Sequence, residues 1–303
     1  MSGVHQCLAG TYGTPRATES KYETAGSYTF VAPITGQISM VLVGASGSGL
    51  SYGPAGGAGG MTWANNYSVT NGDQFTVVVG AQSSSDATDG QSSTITPHGG
   101  SLLYEGEYGD GSGPDRTSGG GPGGQGGAQK YSGTPGVGGG KGGNGGDGNS
   151  SMGAPYPCAG GAGAGGYSGT GGDGANAGAN SGTAGQGGGG GGGGGGQDPR
   201  PGYGWAAGGG GGGVGIFGEG PSGAGGSGAV QGSTAQTVGK GGSNGQDGSF
   251  GFAQCWGGNY GGSKSNGYAG NGYASRTGDG AVRIIWSLSG GTREFPSTNV
   301  GEA

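Results

Sequence analysis

The sequence predicts a mainly β and irregular protein with almost no α-helix: an antiparallel β-sandwich carrying a long inserted bundle of glycine-rich polyproline-II helices. Three observations lead there. Short runs alternate apolar and polar residues before residue 105, and one such run returns at 281–286. Glycine supplies 96 of 303 residues, near one third against a usual share of ~7%. Those glycines fall every third residue in phased blocks, which matches a helix of three residues per turn.

The strands come first. Tyr28, Phe30 and Ala32 alternate with polar neighbours until Pro33. Residues 37–45 hold Ile38, Met40 and Leu42 with Val41 and Val43 between them, a strand apolar on both faces. Met61, Trp63, Tyr67 and Val69 share one parity, and Phe75, Val77 and Val79 follow the turn signal Asn71-Gly72-Asp73. Residues 94–96 and 101–104 read as two weaker strands. Residues 281–286, Ala-Val-Arg-Ile-Ile-Trp, cannot bury their apolar faces alone, so they are expected to complete the early sandwich. The predicted organisation is an attachment arm at 1–25, a sandwich at 26–105 completed by strand 281–287, a polyproline-II bundle at 106–280, and a tail at 288–303.

The insertion has to hold together without side chains, because glycine loses the most backbone entropy on folding and buries nothing. Collagen is excluded by 13 prolines and a broken triplet phase. Disordered linkers carry few aromatics, whereas four Trp, fourteen Tyr and six Phe are present here. The phased blocks are Gly133, Gly136, Gly139, Gly142, Gly145 and Gly148; Gly160, Gly163, Gly166, Gly169 and Gly172; and Gly239, Gly242, Gly245 and Gly248, with Gly251 in phase. Gly187–Gly196 is an unbroken run. In each block the glycine face is expected to let backbones approach closely enough for interchain N–H···O=C bonds.

The segments between blocks differ in chemistry. Residues 105–118, 150–159, 197–207 and 249–260 carry aromatics and charges and read as turns at rod ends. Aromatics held on loops by a rigid scaffold make a binding face. Tyr156, Tyr203, Trp205, Phe252 and Trp256 are the candidate binding residues, expected to stack on surface glycans or proteins.

Phased glycine blocks alternating with aromatic-bearing segments resemble bacteriophage tail-fibre adhesins, in which a polyglycine/polyproline-II sandwich presents distal loops to a host receptor. The stretch GDGAVRIIWSLSGGTREFPSTNV, residues 278–300, resembles the C-terminal tail of glycine-rich phage structural proteins. GSYTFVAPITGQISMVLVGASGSG, residues 26–49, resembles the first hairpin of a wider group. That group includes the glycine-rich domain of the anaplastic-lymphoma-kinase receptor, where a β-sandwich bears a polyproline-II insertion. The chain differs from the adhesins in its substantial amino-terminal sandwich. The resemblance implies a virion protein, assembled in the host cytoplasm and acting extracellularly. Its implied partners are other virion or fibre proteins and a host-surface glycan or outer-membrane protein, and a homo-oligomer or larger assembly is expected. An ice-binding polyproline-II protein, a purely structural fibre subunit and a receptor-ligand module are the alternatives.

Other chemistries find little footing. Net charge is −6, with 11 scattered Lys and Arg, so no basic stripe suits nucleic acid. No apolar run approaches the ~20 residues of a membrane span. Residues 1–10 show no basic region followed by an apolar stretch, so no secretory signal is read. His5 and His98 stand apart without ligand-spaced partners, and no metal, cofactor or catalytic residue is expected. Gly-x-Gly-x-x-Gly matches arise from composition alone. Residues 142–150 fail the calcium β-roll pattern at Asn149, and Asp86 with Asp89 reads as a solvated pair. Cys7, Cys158 and Cys255 form no disulfide framework; pairing of Cys158 with Cys255 is left open.

Overall fold

A computed structural model describes residues 18–50, 54–83, 85, 87–113, 127, 135–148, 159–178, 180–195, 208–227, 238–248, 257–263, 278–288 and 293–297. Among these there is no α-helix, and the fold is mainly β, as the sequence predicts. The strands are β1 (Glu19–Tyr22), β2 (Gly26–Val31), β3 (Gly36–Val43), β4 (Met61–Val69), β5 (Gln74–Val79), β6 (Ser93–Pro97), β7 (Tyr104–Gly106), β8 (Val137–Gly140) and β9 (Ala281–Trp286). They form two antiparallel sheets, ordered β1-β9-β3-β4-β8 and β2-β5-β6-β7.

At its centre, in β3 and β9, the five-stranded sheet is buried on both faces. Ile38, Met40 and Leu42 of β3, with Val282, Ile284 and Trp286 of β9, meet Phe30, Phe75, Val77, Val79 and Ile95 of the second sheet. Val41, Val43, Met61, Ala281 and Ile285 point the other way, into a second cluster with Ala164, Tyr167, Val214, Ile216 and Phe295. A half-buried antiparallel strand would alternate apolar and polar residues. The apolar run in β3 has no such alternation because glycine-rich segments cover its outer face.

Several elements differ from the sequence reading. Residues 19–22 lie in the stretch read as an irregular arm, yet they pair with β9, Glu19 opposite Ile285 through Tyr22 opposite Val282. Residues 137–140 form β8 against β4. Phe295, in the expected tail, is buried and stacks on Tyr167 at 5.9 Å.

Beyond the sheets the main chain bonds with a different period. Gly44 and Gly47 donate to the carbonyls of Gly60 and Gly57, while Ala45 and Ser48 donate to Gln91 and Thr88. Gly160, Gly163 and Gly166 donate to Ala175, Gly172 and Gly169. Gly172 and Ala175 pass the pattern on to Gly190 and Gly193. Donors recur every third residue, unlike the two-residue alternation of an antiparallel ladder. This network takes in residues 44–50, 54–60 and 87–92, ahead of the expected boundary at 106. It also takes in 107–112, read as part of a loop: Gly109 and Ser112 donate to Ala45 and Ser48.

The glycines of the phased blocks sit where neighbouring backbones meet. A Cβ on Gly142 or Gly145 would collide with Ala58 or Ala55; on Gly160, Gly163 or Gly166, with Gly193, Gly190 or Gly187. On Gly169 and Gly172 it would strike Gln186 and Thr183, and on Gly239, Gly242, Gly245 and Gly248 it would strike Gly191, Gly188, Val214 and Gly210. Gly139 belongs to β8 and faces Met61. Gly136 differs: it occupies a turn at φ 71° and its carbonyl accepts the Asn65 amide. Gly148 is partly exposed, and Gly133 lies outside the described residues.

One glycine register is not enough to describe the packing. Gly143 and Gly146 are blocked by Gly172 and Ala175, so residues 139–148 bury two faces and leave Lys141, Asn144 and Asp147 outward. Residues 189–195 have no free face. Gly190, Gly191, Gly192 and Gly193 donate to Ala164, Lys240, Thr183 and Gly161, and accept from Gly172, Gly212, Gly226 and Ala175. A segment enclosed on every side tolerates no Cβ, which is why glycine runs unbroken there.

Candidate functional surface

The hydrogen-bonded segments have two unlike ends. At one end the chain reverses tightly: Gly166 donates to Gly169, Gly189 to Gln186, and Gly245 to Gly242. This end rests on the five-stranded sheet. The Trp63 indole donates to the Tyr167 carbonyl at 2.8 Å, and the Gly218 amide donates to the Tyr167 hydroxyl at 3.0 Å. Burial pushes the Tyr167 hydroxyl well above the usual tyrosine range.

At the other end lie residues bonded one to the next. Gly146 donates to Gly160, Gly160 to Ala175, Ala175 to Gly193, Gly193 to Gly161 and Gly161 to Gly209. Gly248 donates to Gly239 and Gly239 to Gly210, while Gly182 donates to Gly226 and Gly226 to Gly192. Ser263 donates to Ala162, which joins the same level. The chain positions flanking 149–158, 196–207, 228–237 and 249–256 therefore gather at this end. Tyr156, Tyr203, Trp205, Phe252 and Trp256 fall within three of those segments and lie outside the described residues. The same holds for His5, Asp86, Cys7, Cys158 and Cys255.

The flank between the two ends is polar and tied down. Asp173 Oδ1 accepts the Asn144 amide at 2.7 Å, Asn176 Oδ1 accepts the Asp147 amide at 2.9 Å, and Thr183 Oγ1 accepts the Asp173 amide at 2.7 Å. Lys240 pairs with Asp247 at 2.7 Å, both half exposed.

Charged groups cluster at two further places. Arg283 is fully buried on β9. It donates through Nε to Glu19 Oε2 at 3.0 Å and through Nη1 to the Ile216 carbonyl at 3.1 Å, and it lies 4.6 Å from the Phe217 ring centroid. Lys21 sits 5.1 Å from the same ring and 3.4 Å from Glu19. Burial alone would raise the Glu19 carboxyl, but Arg283 and Lys21 hold it below its ordinary value. Around Asp110 the balance is opposite: burial, Asp89 and Glu107 push its carboxyl up against the pull of Lys141. A lone Arg within an apolar strand was the sequence signal for the first cluster, and nothing in the sequence places Glu19 beside it. Among the described residues no group of His, Cys, Asp and Glu is arranged to hold a metal ion, and no helix is long and apolar enough to cross a membrane. No family model and no curated protein matches the chain.

Proposed function

We propose that the chain is a non-enzymatic binding protein of the virion type, an adhesin-like fibre or tip component. In this reading a rigid glycine-rich body presents aromatic-bearing loops to a host surface or a neighbouring particle protein. The carrying observation is the gathering of the flanks of 149–158, 196–207 and 249–256 at one end of the hydrogen-bonded segments. Loops so anchored form one surface whatever their individual sequences. The three-residue period of the hydrogen bonds and the glycines at every close approach support a bundle of polyproline-II helices as the scaffold.

The polar flank argues against the ice-binding alternative. The Asp173 carboxylate, the Asn176 carboxamide and the Thr183 hydroxyl are already committed to the backbone amides of Asn144, Asp147 and Asp173. The test is adsorption of phage particles carrying alanine at Tyr156, Tyr203, Trp205, Phe252 and Trp256 together, with mass spectrometry of purified virions to establish that the chain is present. The expected result is loss of adsorption with unchanged particle assembly. Adsorption at the wild-type rate would end the adhesive reading.

A further inference from the structure

A second surface lies at the opposite end of the sandwich. β3 leads through Val43 into the glycine-rich segments, whereas its other terminus, Gly36, pairs with Val69. Near that terminus the two sheets part and leave an open groove of about 560 Å³. Tyr67 of the first sheet forms one wall, Pro97 and His98 of the second form the other, and Phe75 is the buried floor. The Tyr67 ring meets Phe75 edge-on, centroids 6.0 Å apart at 79°. The backbone of this rim is fixed: the His98 amide donates to the Gln74 carbonyl at 2.8 Å, and Asp73 Oδ2 accepts the Thr70 amide at 2.7 Å.

The volume lies within the ~300–1,000 Å³ typical of small-molecule sites. Its chemistry is mixed. Tyr67, Phe75 and Pro97 offer flat apolar surface. The Tyr67 hydroxyl, the Gln74 carboxamide and the His98 imidazole offer donors and acceptors, and among the described residues they have no hydrogen-bond partner. Among the described residues Asp73 is the one carboxylate lining the groove and no Lys or Arg lines it, so neither an anion nor a multivalent cation is favoured. A pyranose ring has the complementary pattern, with apolar C–H faces for stacking and hydroxyls around its edge.

We infer that the groove between Tyr67, Phe75, Pro97 and His98 binds a neutral pyranose, free or as the terminal residue of a glycan. The inference is independent of the end at which the flanks of 149–158, 196–207 and 249–256 gather. The test uses the full chain labelled with ¹⁵N, titrated separately with glucose, galactose and N-acetylglucosamine to about 20 mM. Benzamide and sialic acid serve as an aromatic and an anionic comparison. The expected result is saturable shifts at the backbone amides of Gly72, Gln74 and His98 with at least one neutral sugar. Tyr67→Phe, Gln74→Ala and His98→Ala should each weaken binding about 5- to 10-fold without moving the unfolding midpoint. No saturable shift with any neutral sugar, a stronger response to benzamide or sialic acid, or unchanged affinity in all three variants would overturn it.

Discussion

Gly193→Ala places one methyl group in a segment buried on every side. The added Cβ would stand 2.6 Å from the Gly209 carbonyl carbon, closer still to its oxygen, and 2.9 Å from the Gly210 oxygen. These are main-chain atoms and cannot swing aside, so the segments must separate. Two hydrogen bonds stretch: Gly193 to Gly161, at 2.8 Å, and Ala175 to Gly193, at 3.0 Å. At about 1 kcal/mol each, with about 1–3 kcal/mol for overpacking, the loss reaches roughly 3–5 kcal/mol. Reduced freedom of the unfolded chain returns about 0.4–1 kcal/mol, leaving a net loss of about 2–5 kcal/mol. Gly36→Ala is the control, because its Cβ would meet only Ile34 Cδ1 at 3.4 Å; a change within about 0.5 kcal/mol is expected. Urea unfolding followed by circular dichroism measures both. If Gly193→Ala unfolds at the wild-type midpoint, close backbone packing is not what holds the glycine-rich body together.

Glu19→Gln leaves the fully buried Arg283 without its carboxylate and should cost about 3 kcal/mol, read by urea unfolding at neutral pH. Because the folded Glu19 carboxyl titrates below its unfolded value of 4.5, this stabilisation is complete above that value. It should fade as pH falls through the lowered folded value, and this part of the pH dependence should be absent in the Gln variant. Asp110 has the opposite sign: its raised carboxyl opposes folding once ionised, so Asp110→Asn should leave stability unchanged or raise it by up to about 1 kcal/mol at neutral pH, seen as a higher thermal midpoint. Tyr167→Phe removes the acceptor of the buried Gly218 amide and should lower stability by about 1–3 kcal/mol on the same denaturant curve.

The sandwich was legible where side chains carry a period. Phe75, Val77 and Val79 alternate inward along β5, and Ile38 through Val43 announces a strand covered on both faces. Strands without that signal were not legible. β1 reads Glu-Ser-Lys-Tyr, and its place is set by Arg283 on a strand more than 250 residues away. β8 reads Val-Gly-Gly-Gly and shows no alternation to find. In the glycine-rich region the triplet phase identified one packed face, but the Gly-Gly doublets at 142–143 and 145–146 mark two. A doublet followed by one larger residue signals a segment with a single outward face, and an unbroken run signals none. Tyr156, Tyr203, Trp205, Phe252 and Trp256 lie outside the described residues and carry no periodic signal, so they stay candidates under the adhesive reading.

The join between the two bonding regimes bears on what the loop end can do. β3 ends at Val43 and Gly44 follows; β5 ends at Val79 and Gly80 follows; Gly60 precedes β4 and Gly280 precedes β9; β7 ends at Gly106 and β8 at Gly140. At this level the backbones close in on one another. A Cβ on Gly44 would strike the Glu107 carbonyl, on Gly80 the Gln91 carbonyl, and on Gly106 the Leu42 carbonyl, which would lie 2.7 Å away. Ser93 sits in the same layer, donating to the Val43 carbonyl at 2.6 Å and accepting the Gly80 amide at 3.0 Å. The strands therefore pass from side-chain packing to main-chain bonding without a hinge, through residues that only glycine or a small hydroxyl can occupy. Cohesion past that layer depends on backbone groups that every residue possesses. No described residue of the apolar clusters or of this layer belongs to 149–158, 196–207 or 249–256, so under the adhesive reading the recognition surface is expected to change while the body that carries it stays fixed.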